Sequence, residues 1–258
     1  MTDKIRVIIP DSHGAHIDWP AAKACVGDIR ALGPSEVVFL GDQLDCGGTF
    51  STHQRNYTNE LTESYEEDAR QANAFIDLIQ KAAPSATYLM LEGNHEAHVE
   101  RWASRTFINR DDAESLLGVF GPQAVLRLRA RGIRYYRRSE MYMGLSIPGA
   151  IRLGRCFFVH GVSHAKHAAA EHLRAFGASV VYGHTHRAQS VVERTVVSSG
   201  IGAYSPGCLC KLQPLYKHTV PTTWSHGYGV QFVAKSGNFL HVNVPICSGG
   251  SLLPKVLI

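Results

Sequence analysis

No stretch of this chain approaches the roughly 18 apolar residues of a membrane-spanning helix, so a helical membrane span is not expected. Internal repeats and low-complexity tracts are missing too, which leaves no reason to divide the chain into more than one domain with decorations. A charged leader with an apolar core is absent from the N-terminus, where Met1-Thr2-Asp3-Lys4 runs straight into a strand, so a cytoplasmic protein is expected. The sequon Asn56-Tyr57-Thr58 then has no use. Excess charge is also scarce. A formal charge of +4 and a pI near 8.7 fall short of the strongly basic balance of a dedicated nucleic-acid binder. The six cysteines (Cys25, Cys46, Cys156, Cys208, Cys210, Cys247) are scattered, which argues for reduced thiols. Cys208-Leu209-Cys210 lacks the partner Cys-x-x-Cys knuckles of a zinc grip. With 258 residues, 45% of them hydrophobic, the chain can nevertheless bury a full core.

What is present is an alternation of strand-like and helix-like runs, hence an α/β domain. Ile5 to Pro10, Val37 to Leu40, Tyr88 to Leu91, Phe157 to Val159 and Val180 to Tyr182 read as buried strands. Pro20 sits where a helix can start, and Ala21 to Ala31 follows before Gly33-Pro34 stops it. A longer helix is expected from about Ser64 to Ala83: Ser64 and Glu67 match a capping box, Tyr65, Ala69, Ala72, Ile76 and Ile79 recur at helical spacing, and Pro84 ends it. Ala168, Leu173 and Phe176 mark a third helix before Gly177, and His164, His167 and His172 read as belonging to it and not to a site. Val191 to Ser199, Tyr228 to Ala234 and Phe239 to Pro245 read as later strands, and Gly207 to Thr223 as a long loop. Trp224, His226 and Tyr228 at its end fit core packing better than an aromatic wall for a base.

Five polar clusters follow the five buried runs: Asp11-Ser12-His13, Gly41-Asp42-Gln43-Leu44-Asp45, Gly93-Asn94-His95-Glu96, His160-Gly161 and Gly183-His184-Thr185-His186. The carboxyl ends of strands are where open α/β sheets build their sites. Imidazole, carboxylate and amide oxygen together suit divalent manganese, zinc or iron, and two such ions about 3.5–4 Å apart need a bridging carboxylate. Asp42 is the obvious bridge. Water between two cations ionises near neutral pH and becomes the nucleophile, so no side-chain nucleophile is required. A lone Asp-x-His or His-Gly would be weak, but five clusters in register behind five strands are not loop decoration.

The order of these motifs resembles the calcineurin-like metallophosphoesterase superfamily from Ile5 to about Ser199. The resemblance implies a four-layer α-β-β-α sandwich of two mixed β-sheets with a dinuclear metal site at the carboxyl ends of the strands. The strands after Val191 would complete the second sheet. On this reading 1–258 is a single domain with a loop-rich C-terminal extension at about 203–258. The resemblance further implies that Asp11, His13, Asp42 and His186 hold one metal, and Asp42, Asn94, His160 and His184 the other. His95 would be the general acid, Asp45 would orient and charge its ring, and Glu96 would give structural support. Manganese is the first expectation for both ions, with zinc, iron or nickel as alternatives, because these donors do not select among them.

Two departures bear on substrate. Protein phosphatases of the superfamily continue the second motif as Asp-Arg-Gly, whereas this chain has Asp45-Cys46-Gly47, and Pro10 replaces the glycine before the first aspartate. A guanidinium fork suits a doubly charged phosphomonoester. Arg55 or Arg187 would have to supply it. The match is therefore better to the phosphodiesterase and nuclease branches, and Ile5 to His98 looks most like bacteriophage and bacterial members. Arg127, Arg129, Arg131, Arg134, Arg137 and Arg138 gather with Tyr135 and Tyr136, either as a track for a phosphate backbone or as a charged edge strand. The expected substrate is a phosphoester, with DNA or RNA preferred. The alternatives are a phosphodiesterase or phosphatase for cyclic or short nucleotides and, more remotely, a non-catalytic scaffold. The sequence identifies no partner protein.

Overall fold

The computed structural model describes residues 3–47, 50, 64–107, 109–194, 196, 200–214 and 221–254. In chain order its elements are β1 (Lys4–Ile9), α1 (Trp19–Leu32), β2 (Glu36–Phe39), α2 (Tyr65–Ala82), β3 (Thr87–Leu91), α3 (Ala97–Thr106), α4 (Arg110–Phe120), α5 (Pro122–Val125) and β4 (Ile133–Tyr136). There follow β5 (Ile151–Leu153), β6 (Cys156–Val159), α6 (Ala168–Phe176), β7 (Val180–Tyr182), β8 (Ala188–Glu193), β9 (Ile201–Pro206), β10 (Gly227–Val233), β11 (Phe239–Cys247) and β12 (Gly250–Ser251). Among the described residues no helix is long and apolar enough to cross a membrane.

The strands form two mixed sheets, ordered β12-β11-β10-β1-β2-β3-β4 and β5-β6-β7-β9-β8. β1 to β4 run parallel, and buried parallel strands offer both faces to apolar neighbours. Val7, Ile9, Val37, Phe39 and Met90 pack outward against Ala22, Val26, Ile29, Phe75, Ile76 and Ile79 of α1 and α2. Their alternates Ile8, Val38, Leu40, Leu89 and Leu91 pack inward against Ile151, Phe158 and Val181 of the second sheet. Val159, Val180, Tyr182 and Ala203 meet α6 on the far side. The result is the expected α-β-β-α sandwich, and parallel β1, β2, β3, β6 and β7 all point their carboxyl ends at one seam.

Local chemistry explains the helix ends. Asp18 accepts the Ala21 N–H at 3.0 Å to start α1, with Pro20 in its first turn, and Gly33 closes it in the left-handed region. Ser64 accepts the Glu67 N–H at 3.1 Å, but the capping box is only half made. The Glu67 carboxylate takes Arg70 and Gln71, each at 2.6 Å, because a charged fork and a second side-chain donor outcompete one backbone amide.

One expectation is overturned. Tyr228 to Ala234 and Phe239 to Pro245 do not complete the second sheet; as β10 and β11 they extend the first, β10 antiparallel to β1 and β11 antiparallel to β10. β10 is buried on both faces, with Tyr228 and Val230 in the core under α1, a position only an inner strand of the larger sheet offers. β9 takes the place beside β7 instead. β8 covers the start of the expected Val191 to Ser199 strand; 195 and 197–199 lie outside the described residues. The Arg-rich stretch is not one edge strand either. Residues 126–132 form turns, which break any alternation, and only Ile133–Tyr136 joins the sheet, at its edge.

His241 on β11 ties the sheets together, stacking on Tyr204 of β9 with centroids 4.4 Å apart and bonding Asn243 at 2.8 Å. Asn243 in turn donates to the Ser205 carbonyl at 2.9 Å. Burial pushes the His241 imidazole down from 6.5 to about 4, against the opposing pull of its Asn243 bond. The unfolded chain therefore takes up a proton that the folded ring refuses, and this group's contribution is complete above its unfolded value and lost as pH falls towards its folded one. His241→Phe should lose less stability than the parent between about pH 7.5 and pH 5, measured by urea denaturation in the presence of a chelator.

Candidate metal centre

The five loops converge where the strand ends meet, and the backbone is forced to bring them there. His13, Asp42, His184 and His186 all have φ between 51° and 66°, a left-handed conformation uncommon outside glycine. The β1 and β2 loops are stitched together by N–H groups of Ser12 and His13 donating to the Asp42 carbonyl at 3.0 and 2.9 Å. At Gly93 even a methyl group would lie 2.0 Å from Asp42 Oδ1, so only glycine lets the β3 loop close over the β2 loop.

Two buried carboxylates hold these loops from behind. Glu96 accepts the N–H groups of Asp42, Gln43, Leu44 and Gly93 at 2.6–3.0 Å. Asp68 accepts those of Ala15, Asp45 and Cys46 at 2.8–3.1 Å. Sequence reasoning missed Asp68. Its signal was a lone acid in line with Ala72, Phe75 and Ile79 on the apolar side of α2.

In front of these anchors lie two groups of donors. Asp11, His13, Asp42 and His186 offer atoms within 4.8 Å of one another, as do Asp42, His160 and His184. Asn94 Oδ1 joins the second group, 2.9 Å from His160 Nε2. Asp42 Oδ2 reaches both, 3.8 Å from His13 Nε2 and 3.2 Å from His160 Nε2. The outer nitrogens of three rings are engaged: His13 Nδ1 with Asp45 Oδ1 at 2.8 Å, His160 Nδ1 with the Leu40 carbonyl at 3.0 Å, and His186 Nδ1 with Cys210 Sγ at 4.0 Å. These partners direct each ring's Nε2 lone pair inward. His13 Nε2 and His186 Nε2 thus face each other at 3.1 Å, and His160 Nε2 faces the oxygens of Asn94 and Asp42. Ring nitrogens and carboxylate oxygens this close in a buried site need protons or cations between them, and three or four such donor atoms converging on one point suit a metal ion. The donor set fits two divalent ions.

The charges respond accordingly. Burial would raise Asp42, but His160 and His95 hold it well below the usual carboxylate range. Asp11 is lowered too, its burial outweighed by His186 and His160. Burial likewise works against His95, yet Asp42 and Asp45 raise it to about 10. His95 Nδ1 lies 2.8 Å from the Asp45 carbonyl and 3.3 Å from its carboxylate, and its own N–H donates to Asp42 Oδ1 at 2.9 Å. Asp45 serves His13 at closer range than His95, and His16 Nε2 lies 3.5 Å from its other oxygen.

The remaining residues of interest separate. Arg187 Nη2 donates to the carbonyls of His164 and Ala165 at 3.1 and 2.6 Å, tying down the loop after His160. Arg55 lies outside the described residues. Cys46 is fully buried in the outer core at φ 54°, so nothing projects from position 46 into the site. His172 is buried, stacked on Tyr182 at 3.8 Å, and accepts the Val162 N–H at 3.0 Å. The 208–211 segment packs on the first loop, with Leu209 N–H on the Asp11 carbonyl at 2.8 Å. Trp224 sets its edge on His186 at 4.1 Å, and Tyr228 joins the core.

Comparison with known proteins agrees with this geometry. The calcineurin-like phosphoesterase family matches residues 7–188, and the chain belongs to that family of metal-dependent phosphoesterases, which use a dinuclear divalent site. Among solved structures it is similar to YfcE, a phosphoesterase from E. coli, at 16% identity over 93% of this chain and 98% of that one, with a TM-score of 0.36. Vacuolar protein sorting 29 from Cryptosporidium parvum matches at 12% identity over 97% and 95%, with a TM-score of 0.45. TT1561 of Thermus thermophilus matches at 10% over 94% and 99%, with a TM-score of 0.38. No curated protein matches.

Removing the carboxylate behind the loops tests how far the centre depends on it. Glu96→Ala leaves four buried N–H groups without an acceptor and should cost about 3–5 kcal/mol of stability together with most of the metal affinity. Thermal unfolding and elemental analysis of the purified variant measure both.

Proposed function

We propose that the chain hydrolyses phosphodiesters with two divalent ions, manganese first, and that its substrate is a nucleic-acid strand. The observation that carries the choice of diester is position 46. Phosphatases of the family place a guanidinium there, whereas Cys46 faces the core. A site without a fork at that position lacks one contact for the second charge of a monoester and suits a singly charged diester.

In this reading Asp11, His13, Asp42 and His186 hold one ion, and Asp42, Asn94, His160 and His184 the other. When bound, the ions supply Lewis acidity and lower the pKa of water. The protein's own part is order and proton supply. Asp45 and the Leu40 carbonyl fix the tautomers of His13 and His160. Asp42 and Asp45 favour the protonated form of His95, and with Nδ1 held by Asp45 the proton for the leaving oxygen is the one on Nε2. We read the whole chain as one catalytic domain. The six free thiols suit a reducing, cytoplasmic setting.

A second reading, a small cyclic or short nucleotide diester, is favoured by the fate of the arginine cluster. Arg131 is tied to Asp77, Gln80 and Asn73, and Arg137 to Glu114, so neither is available to a backbone track. Hydrolysis of end-labelled DNA and RNA beside bis-p-nitrophenyl phosphate separates the two; cleavage of the small diester alone would sink the nucleic-acid reading.

His95→Ala should keep fold and both ions but lose about 10²–10⁴ in kcat on polynucleotides, and less on bis-p-nitrophenyl phosphate, whose leaving group needs no proton. Asp42→Asn should weaken both ions at once, read as loss of about two metal equivalents per chain on dialysis.

A further inference from the structure

A phosphodiesterase needs cationic groups beside the phosphate that are not metal ligands, and position 46 supplies none. We propose that Arg138 and Arg101 supply them, Arg138 gripping the phosphate under attack and Arg101 the neighbouring phosphate of a strand. The assignment rests on the phosphodiesterase reading and names the contacts that would make the substrate a polymer.

Arg138 follows β4 and is fixed beside the β3 loop, its N–H donating at 2.7 Å to Glu92. Glu92 directly precedes Gly93-Asn94-His95 and also takes the Tyr135 hydroxyl at 2.8 Å. From there the Arg138 side chain reaches the β6 loop, where Nη2 donates to the Gly161 carbonyl at 3.3 Å, one residue past His160. The Arg138 Nη1 is enclosed and has no acceptor among the described residues. A guanidinium carries five donors in a fixed fork, and an enclosed donor without an acceptor costs free energy until an anion oxygen arrives. A phosphate held between Asn94, His160 and His184 would bring one.

Arg101 approaches the same side from α3. Helical side chains lean towards the N-terminus, and that end of α3 carries Asn94 and His95. Its Nε donates to the Ala97 carbonyl at 3.3 Å and its Nη2 to the Asn94 carbonyl at 2.7 Å, while the residue stays exposed. Glu100 beside it bonds Ser139 at 3.3 Å, which pins α3 to the residue after Arg138. One guanidinium is therefore half-buried with an enclosed nitrogen and the other open, and both are bonded to the loops that carry Asn94 and His160. The half-buried one suits the phosphate at the metals and the open one a phosphate further along a chain.

Metal-loaded protein tests both. Arg138→Gln should raise the inhibition constant of inorganic phosphate about tenfold or more and raise KM for bis-p-nitrophenyl phosphate and single-stranded DNA alike, with two ions still bound by elemental analysis. Arg138→Lys should recover only part of this, since it restores charge without the fork. Arg101→Ala should shift the ratio of the DNA and bis-p-nitrophenyl phosphate KM values about tenfold against DNA and flatten the salt dependence of DNA binding by about one phosphate contact. Phosphate inhibition by Arg138→Gln within about twofold of the parent, or loss of a metal ion, would overturn the first assignment. An unchanged KM ratio would overturn the second. A parent protein that binds phosphate through Arg138 yet cuts no DNA would sink the polymer reading and leave Arg138 in place.

Discussion

The centre depends on one electrostatic problem, which is how to hold acceptor atoms of like character together without water. Asp11, Asp42, His13, His160 and His186 are all buried, and several of their inward atoms stand 3.1–3.3 Å from one another. Without protons or cations between them such atoms repel. Ions between them remove the repulsion when bound, but the loops must already be near the right places, because ordering them at the moment of binding would consume the affinity. The protein meets this with anchors behind the site. Glu96 and Asp68 together take seven backbone N–H groups, and those groups belong to the residues flanking the candidate ligands. Both carboxyl groups are as buried as the candidate ligands, so the loops are drawn backwards onto fixed acceptors while their side chains face forwards.

The same logic reaches into the sheets. Parallel β1, β2 and β3 deliver three loops side by side, and parallel β6 and β7 deliver two more from across the interface. Next to the site the inner faces of the two sheets are apolar, from Ile8 and Leu40 to Phe158 and Val181, while Arg6 and Gln231 are buried between the sheets further back, against Phe158 and Cys156. Gly93 marks the edge of the site. Any side chain there would strike Asp42, and the left-handed turns at His13, Asp42, His184 and His186 show how tightly the chain reverses on leaving each strand.

These features differ in how far they could be read from residues alone. The parallel strands were legible because each is a short apolar run ended by a polar cluster, and the caps of α1 because Asp18, Pro20 and Gly33 act within one turn of chain. The candidate ligands were legible for the same local reason. Long-range choices were not. Whether β10 joined the first or second sheet turned on which neighbour would bury both its faces, which its own alternation does not record. Asp68 looked like a first-turn helix acid, a common and usually trivial placement, and its contacts lie 22, 23 and 53 residues away in sequence. The Arg127 to Arg138 run illustrates the opposite error: six like residues in sequence suggested one surface, but turns at 126–132 scattered them into a buried network, an ion pair, exposed positions and one guanidinium at the metal centre.

That scattering bears on substrate choice. A cationic track would attract any polyanion from a distance, and its strength would fall steeply with salt. A guanidinium enclosed beside His160 and His184 works differently, because its field acts at short range and in little water. It discriminates by where an oxygen sits more than by how much charge the ligand carries. Position 46 points the same way, since the backbone there is drawn onto Asp68 and the side chain into the core. On the proposed reading, Arg138 would grip a phosphate from one side and leave its second substituent to the open side where Arg101 stands. A diester has a substituent to place there; a monoester does not.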